Sequence, residues 1–245
     1  HLSGFAVNCS KFMEKKVIIE KISNYRIRNG TAATIKKVFS RLLEKIGFKQ
    51  LAAYEQVQWE FENKICDYLK ISADEISSFY IIGAHKAVEL PSLRKRYAKA
   101  KFELFEPYPN YSKYLNHKFG DLNRVRVHAL AVSDQSGKLN FYQTNIDGSG
   151  SLYKPNKSAE QNYNMRVTEK IVVPVTTLDK YCQSELKSSP DILWIDVQGQ
   201  EYSVLKGASG ILSQTKAIFV EVAAISPIYE NQVCLNKITQ LLEPV

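Results

Sequence analysis

The sequence has little of what metal cages, disulfide scaffolds and membrane spans are built from. Its four cysteines, Cys9, Cys66, Cys182 and Cys234, are scattered with no C-x-x-C pair, and no histidine stands at zinc-ligand spacing. That pattern argues against a metal cage and against a disulfide framework, so no metal is expected. No apolar run approaches the roughly 20 residues of a membrane-spanning helix, and nothing at the start has the pattern of a secretory signal. These absences point to a soluble protein of a reducing, cytoplasmic compartment with no membrane partner. The glycines of a dinucleotide-binding turn are also missing. The stretch G-A-H-K-A from Gly83 to Ala87 lacks the second and third glycines of G-x-G-x-x-G, which make room for a pyrophosphate.

What is present is ordinary globular composition, 44% hydrophobic and 24% charged over 245 residues. A chain of this size forms one domain, or one with a small appendage. The formal net charge of +8, with an isoelectric point near 9.1, permits an anionic ligand without demanding one. The densest basic run, Arg94, Lys95, Arg96, Lys99 and Lys101, has the positions of a solvated helix face. A nucleic-acid groove would interleave its charges with stacking aromatics, so no nucleic-acid partner is expected.

Residues 1–78 read as a helical extension. Helices are expected over Lys11 to Ser23, Ala33 to Ile46 and Ala52 to Leu69, the last two from apolar residues recurring at helical spacing. The extension either lids a site or only packs against the remainder. From residue 79 to 245 the character changes to alternating strands and helices, which implies a parallel sheet. Strands are expected at Phe79 to Ile82, Phe102 to Phe105, Val125 to Val132, Ile192 to Val197 and Ala217 to Val222. Leu139 to Gln143 and Ser151 to Tyr153 suggest a small antiparallel excursion, and Ile171 to Thr176 a further strand. The helix after the first of these strands starts near Pro91, and a terminal helix covers Asn231 to Leu242.

The stretch D-I-L-W-I-D-V-Q-G-Q-E-Y-S-V-L-K-G-A, Asp191 to Ala208, organises the rest. Its apolar start is a strand buried on both faces; from Glu201 the apolar residues take helical spacing. Ligands of open parallel sheets bind beyond the carboxyl ends of the strands, which places Asp196 at the chemistry, unless it merely opens the turn. Glu106 ends the second strand 23 residues after Gly83, near the roughly 20-residue spacing at which an acid accepts hydrogen bonds from a ribose diol. Gly83-Ala84 lets a cofactor approach the backbone. Together these describe an adenosine site, and the missing glycines favour a cofactor without phosphate, S-adenosylmethionine.

The order F-Y-I-I-G-A-H-K-A, F-E-L-F-E-P-Y-P, V-H-A-L-A-V-S-D-Q-S-G, V-P-V-T-T-L-D, I-D-V-Q-G-Q-E with V-L-K-G-A, then F-V-E-V resembles the FkbM family of S-adenosylmethionine-dependent methyltransferases. The resemblance implies a class I methyltransferase fold, a Rossmann-like, doubly wound α/β architecture with a mostly parallel seven-stranded sheet. It also implies that the family's last β-hairpin is lacking after Val245. By the same resemblance Gly83, Ala84 and His85 would lie under the methionine part of the cofactor. Glu106, with Pro107 beside it, would bind the ribose, Ser133 and Asp134 would flank the adenine, and Asp196 would face the methyl group. The sequence departs from the family pattern at Ile81, where an acid is common, at Ala87, where a glycine closes the turn, and at Gln198, where glutamate is common.

The function expected is O-methyl transfer to a hydroxyl of a small metabolite, sugar or glycan. The rivals are a silent adenosyl-binding or scaffold domain and an NAD-type enzyme. Candidates for the base that takes the hydroxyl proton are Asp196, His85 and Glu221. His85 is equally readable as a structural residue of its turn, and Glu201 as a favourable charge at a helix start. Asp147, Ser149 and Ser151 shape either the acceptor side or a plain solvent loop.

Overall fold

A computed structural model describes the backbone of residues 16–22 and, in full, residues 65–185, 189–223 and 226–243. In chain order come β1 (Lys16–Ile22), β2 (Ser78–Ile82), α1 (Leu90–Arg96), β3 (Lys101–Phe105), α2 (Pro109–Phe119) and β4 (Val125–His128). There follow β5 (Ala131–Val132), β6 (Gly137–Thr144), α3 (Lys157–Tyr163), β7 (Val167–Thr176) and α4 (Leu178–Ser184). The chain then runs through β8 (Ile192–Ile195), α5 (Glu201–Lys206), α6 (Ser209–Leu212), β9 (Ala217–Ala223) and α7 (Leu235–Leu242).

Six strands form one sheet in the order β1-β9-β8-β2-β3-β4, every neighbouring pair parallel. The period of two along each strand sends side chains to opposite faces. Phe79 and Ile81 of β2 and Ile192 and Trp194 of β8 enter one core with Leu93, Tyr97 and Phe119. Tyr80, Ile82, Leu193 and Ile195 enter the other with Leu178, Val204, Leu205 and Ile238. A sheet buried on both faces explains why these strands read as continuous apolar runs. The expected doubly wound α/β architecture is thus found, with six strands in this sheet among the described residues.

The winding runs β2, β3, β4 in one direction and then returns to place β8 and β9 on the other side of β2. The switch point therefore lies between β2 and β8, where such sheets open a crevice. Register places Ile82 beside both Phe105 and Ile195. The residues that follow, Gly83, Glu106 and Asp196, emerge side by side at the carboxyl edge.

Several local expectations are corrected. Of the helix expected over Lys11 to Ser23, the described part, Lys16–Ile22, is strand β1, in parallel register with β9. Val17, Ile18 and Ile19 are consecutive β-branched residues, and the edge of β9 offers unpaired backbone groups, so strand addition prevails over helical spacing. Ala33 to Ile46 lies outside the described residues, as does Ala52 to Leu69 up to its helical end at 65–69. The single strand expected from Val125 to Val132 divides: β4 stays in the main sheet, and β5 leaves to pair with β7. The antiparallel excursion is chiefly β6 on β7, Ser151 adding only one bridge to Tyr142. This second sheet, β5-β7-β6, walls one side of the crevice. The helix expected from Glu201 to Leu212 breaks at Gly207 and Ala208, whose ψ values of 0° and 4° interrupt the helical ladder.

Candidate functional site

The turn after β2 is fixed by backbone hydrogen bonds from Gly83 and Ala84 N–H to the carbonyl of Phe105, both 3.0 Å. Gly83 has φ +82°, and a Cβ there would lie 1.8 Å from the carbonyl oxygen of Asp196. Only glycine lets the two strand ends approach this closely. The next residues wind tightly, with His85 at φ 45° and Ala87 at φ 44°. The left-handed backbone at Ala87 is costly for a residue with a Cβ.

Glu106 is buried, its Oε2 accepting the backbone N–H of His85 and its Oε1 that of Tyr108, each at 2.8 Å. Burial raises its carboxyl to about 7 despite those two bonds, and the neighbouring Asp196 adds to the rise. A carboxylate has about four acceptor positions, so roughly two remain. Asp196 follows β8, its backbone N–H donating to the carbonyl of Ile82 at 2.9 Å. Its Oδ1 accepts from Gln198 Nε2 at 2.7 Å, and a further hydrogen bond links it to Glu221 of β9. Burial holds its carboxyl above the ordinary range. Glu201, buried at the start of α5, accepts the N–H of Gly199 at 2.8 Å, and burial brings it to about 7.

His85 extends toward the loop between Thr144 and Ser151. Its Nε2 lies 3.2 Å from Asp147 Oδ1, its ring meets Tyr111 edge-on at 4.3 Å, and a Cβ at Gly148 would lie 3.4 Å from the ring. Asp147 also accepts from Lys86 Nζ and from Tyr111 hydroxyl, both at 2.6 Å. Those bonds hold its carboxyl well below the usual range, that from Lys86 contributing most. This loop is thereby strapped across the mouth of the crevice.

Gly83, His85, Glu106, Pro107 and Asp196 line one cleft of about 550 Å³, its solvent-open mouth included. Its far wall is Leu130, Ala131 and Val132 on one side and Phe141, Gln143 and Leu152 on the other. Ala84 is buried beneath the turn. Ser133 and Asp134 lie in an adjoining polar depression that shares Leu152 and Gln200 with the cleft. There the Ser133 hydroxyl donates to Gln200 Oε1 at 3.1 Å, and Asp134 pairs with Lys206 at 3.2 Å.

A family profile described as "Methyltransferase FkbM domain" matches residues 82–243, about two thirds of the chain. The chain belongs to the FkbM methyltransferase family. A curated relative, the 2-O-methyltransferase NoeI of Sinorhizobium fredii (strain NBRC 101917 / NGR234), is 32% identical over 151 residues. That match covers 59% of this chain and 62% of the relative, so the chain spans under two thirds of that protein's length. A solved structure titled as methyltransferase FkbM from Methylobacillus flagellatus KT has 17% sequence identity and a TM-score of 0.46, over 69% of this chain and 37% of that one.

Seen as an FkbM domain, the three departures take distinct places. Ile81 points into the core beneath the sheet, away from the cleft wall. Ala87 takes a positive φ of the kind the family's glycine suits. Gln198, also at positive φ (56°), holds Asp196 and lies 3.2 Å from the buried hydroxyl of Tyr229. Sequence reasoning missed Tyr111, Gln143 and Tyr229 as site residues. Tyr111 sits two residues into α2, Gln143 faces the cleft from the second sheet, and Tyr229 packs on Gly199 from beyond β9. None carries a local pattern that would have singled it out. Among the described residues no group of acids, histidines and cysteines is arranged to hold a metal, and no helix is long and apolar enough to cross a membrane.

Proposed function

We propose that the chain is an S-adenosylmethionine-dependent O-methyltransferase acting on a hydroxyl of a small metabolite, sugar or glycan. The observation that carries this reading is the convergence of Gly83, Glu106 and Asp196 on one cleft at the switch point of the sheet. The residues present fit the cofactor. Glu106 retains acceptor capacity for a ribose diol after its two backbone bonds. The apolar walls from β5 and β6 suit the faces of a purine. When bound, S-adenosylmethionine supplies a methyl group already activated on a sulfonium.

The protein's task is then to align a hydroxyl with that methyl and to accept its proton. Asp196 stands at the strand end where the hydroxyl would be held. Its burial makes the carboxylate a stronger base than in water. In the hydrogen bond between them Glu221 is the donor and Asp196 the carboxylate, so the proton taken from the acceptor would go to Asp196. His85 is oriented by Asp147 and Tyr111 at the mouth, where it would contact the acceptor.

Calorimetric titration with S-adenosylhomocysteine and, in parallel, NAD tests the reading. Saturable binding of the first with none of the second supports it, and binding of neither would sink it.

A further inference from the structure

Gln198 lines the cleft just beyond the end of β8, with its backbone left-handed at φ 56°. That conformation is unfavourable for a residue with a Cβ and persists where the surroundings hold the residue in place. Two side-chain hydrogen bonds hold it here. The carboxamide Nε2 donates to Asp196 Oδ1 at 2.7 Å, and its Oε1 accepts from the hydroxyl of Tyr229 at 3.2 Å. Tyr229 is itself buried, shares its hydroxyl proton with the carbonyl of Ser149 at 2.9 Å, and lies so close to Gly199 that a Cβ there would come within 3.1 Å of it. With the amide this way round, Asp196 Oδ1 is an acceptor and carries no proton.

The neighbours of Asp196 show why such a donor matters. Glu221 of β9 is hydrogen-bonded to it, and its charge raises Glu106 after β3, Glu201 of α5 and Tyr229 beyond β9. Among the described residues, His85 in the turn after β2 is the group facing it that can carry positive charge. A buried carboxyl among other carboxyls takes up a proton unless its charged form is hydrogen-bonded. A lysine or arginine in contact would hold Asp196 ionised but would weaken it as a base. A neutral amide N–H supports the charge and leaves the carboxylate more basic than a cation would.

We infer that Gln198 is the positioning residue of the base: its amide holds Asp196 as the free carboxylate of the Asp196–Glu221 pair and so selects Asp196, rather than Glu221, to receive the acceptor's proton. The inference rests on the proposal that the cleft carries out methyl transfer to a hydroxyl. The acceptor's O–H bond breaks as its oxygen bonds to the methyl carbon. The proton ends on Asp196, and the electron pair of the broken carbon–sulfur bond stays on sulfur. Tyr229 acts one step further out, by fixing the orientation of the amide.

The test is NMR of the ligand-free chain with isotope-labelled aspartate carboxyls, followed through a pH titration. The Asp196 resonance is assigned by its loss in Asp196→Asn. In Gln198→Met, which keeps the length of the side chain without its donor, the affinity of Asp196 for a proton is expected to rise roughly tenfold. In Gln198→Glu, which is isosteric and adds a negative charge, the rise is larger. Thermal melting shows that each variant is folded at the temperature of the titration, and either variant alone decides the question. A merely structural role would lower the Tm and leave the Asp196 titration where it stands in the wild type, and that result overturns the inference. Calorimetry with S-adenosylhomocysteine separates this failure from that of the function it rests on. Binding by the wild-type chain with an unmoved Asp196 titration in the variants removes this inference alone. No binding by the wild-type chain removes the methyltransferase reading, and the role of Asp196 as its base falls with it.

Discussion

Strand β8 is flanked by two aspartates whose surroundings are opposite. Asp191, at its amino end, accepts from the Ser77 N–H and hydroxyl, both at 2.6 Å, from the Ser78 N–H at 3.2 Å, and pairs with Lys216 at 2.8 Å. Burial alone would raise its carboxyl, but Lys216 and Ser77 outweigh that and hold it below the usual value. Asp196, at the carboxyl end, is held by an amide and by another carboxyl, and burial raises it. Glu106 and Glu201 beside it are raised too. One edge of the sheet ties the strands together and is satisfied within the protein. The other gathers carboxyls whose charge is poorly compensated, the condition expected where a ligand completes the environment.

The comparison breaks most visibly if the two aspartates are exchanged in role. Asp196→Asn is expected to lower methyl transfer by roughly 100- to 10,000-fold, measured on a hydroxyl acceptor found by screening. Affinity for S-adenosylhomocysteine should stay near the wild-type value; undiminished transfer removes Asp196 as the base. Asp191→Ala should do the reverse, costing about 3 kcal/mol in chemical denaturation because it leaves the Ser77 N–H without its acceptor and takes the ion pair from Lys216, which keeps only the Glu75 carbonyl. Cofactor affinity measured well below the midpoint should not change.

A pH series sharpens the same contrast. Glu106 and Glu201 bind more protons folded, at about 7, than at their ordinary 4.5. Their contribution to stability is therefore complete below about pH 4.5 and is lost as pH rises through about 7, a fall on the order of 3 kcal/mol for each. Glu106→Gln should flatten that part of the curve of Tm against pH. Asp191 acts in the opposite sense, stabilising above its ordinary 3.8 and losing that contribution as pH falls through its lowered folded value. The smallest effect is expected at Ala87, where Ala87→Gly relieves a left-handed backbone and raises stability by about 1 kcal/mol. An unchanged midpoint would mean the surrounding core already accommodates the strain.

The parallel sheet was legible because its strands are short apolar runs bounded by turn residues, and a run such as Ile192 to Ile195 can be buried on both faces only in such a sheet. Gly83, Glu106 and Asp196 were legible for a related reason: each is the first residue past a strand, so locating the strand locates the residue. Strand β1 was misread because Lys16 to Ile22 is a strand only by virtue of β9, a partner about 200 residues away. The break between β4 and β5 escaped for the same cause, since β5 turns aside to meet β7. The pairing of His85 with Asp147 likewise spans a loop whose path no local pattern specifies.

Local pattern along the chain was sufficient for the class of fold, the order of its strands and the acids at their carboxyl ends. Hydrophobic periodicity and turn residues are local, and they carry that information. The tertiary structure alone decided which carboxyls are crowded and raised, that a second sheet walls the cleft, and that Gln198 stands between Asp196 and Tyr229. Burial and hydrogen-bond partnership depend on segments far apart in the chain, and neither is a property of any residue until the chain has closed around it.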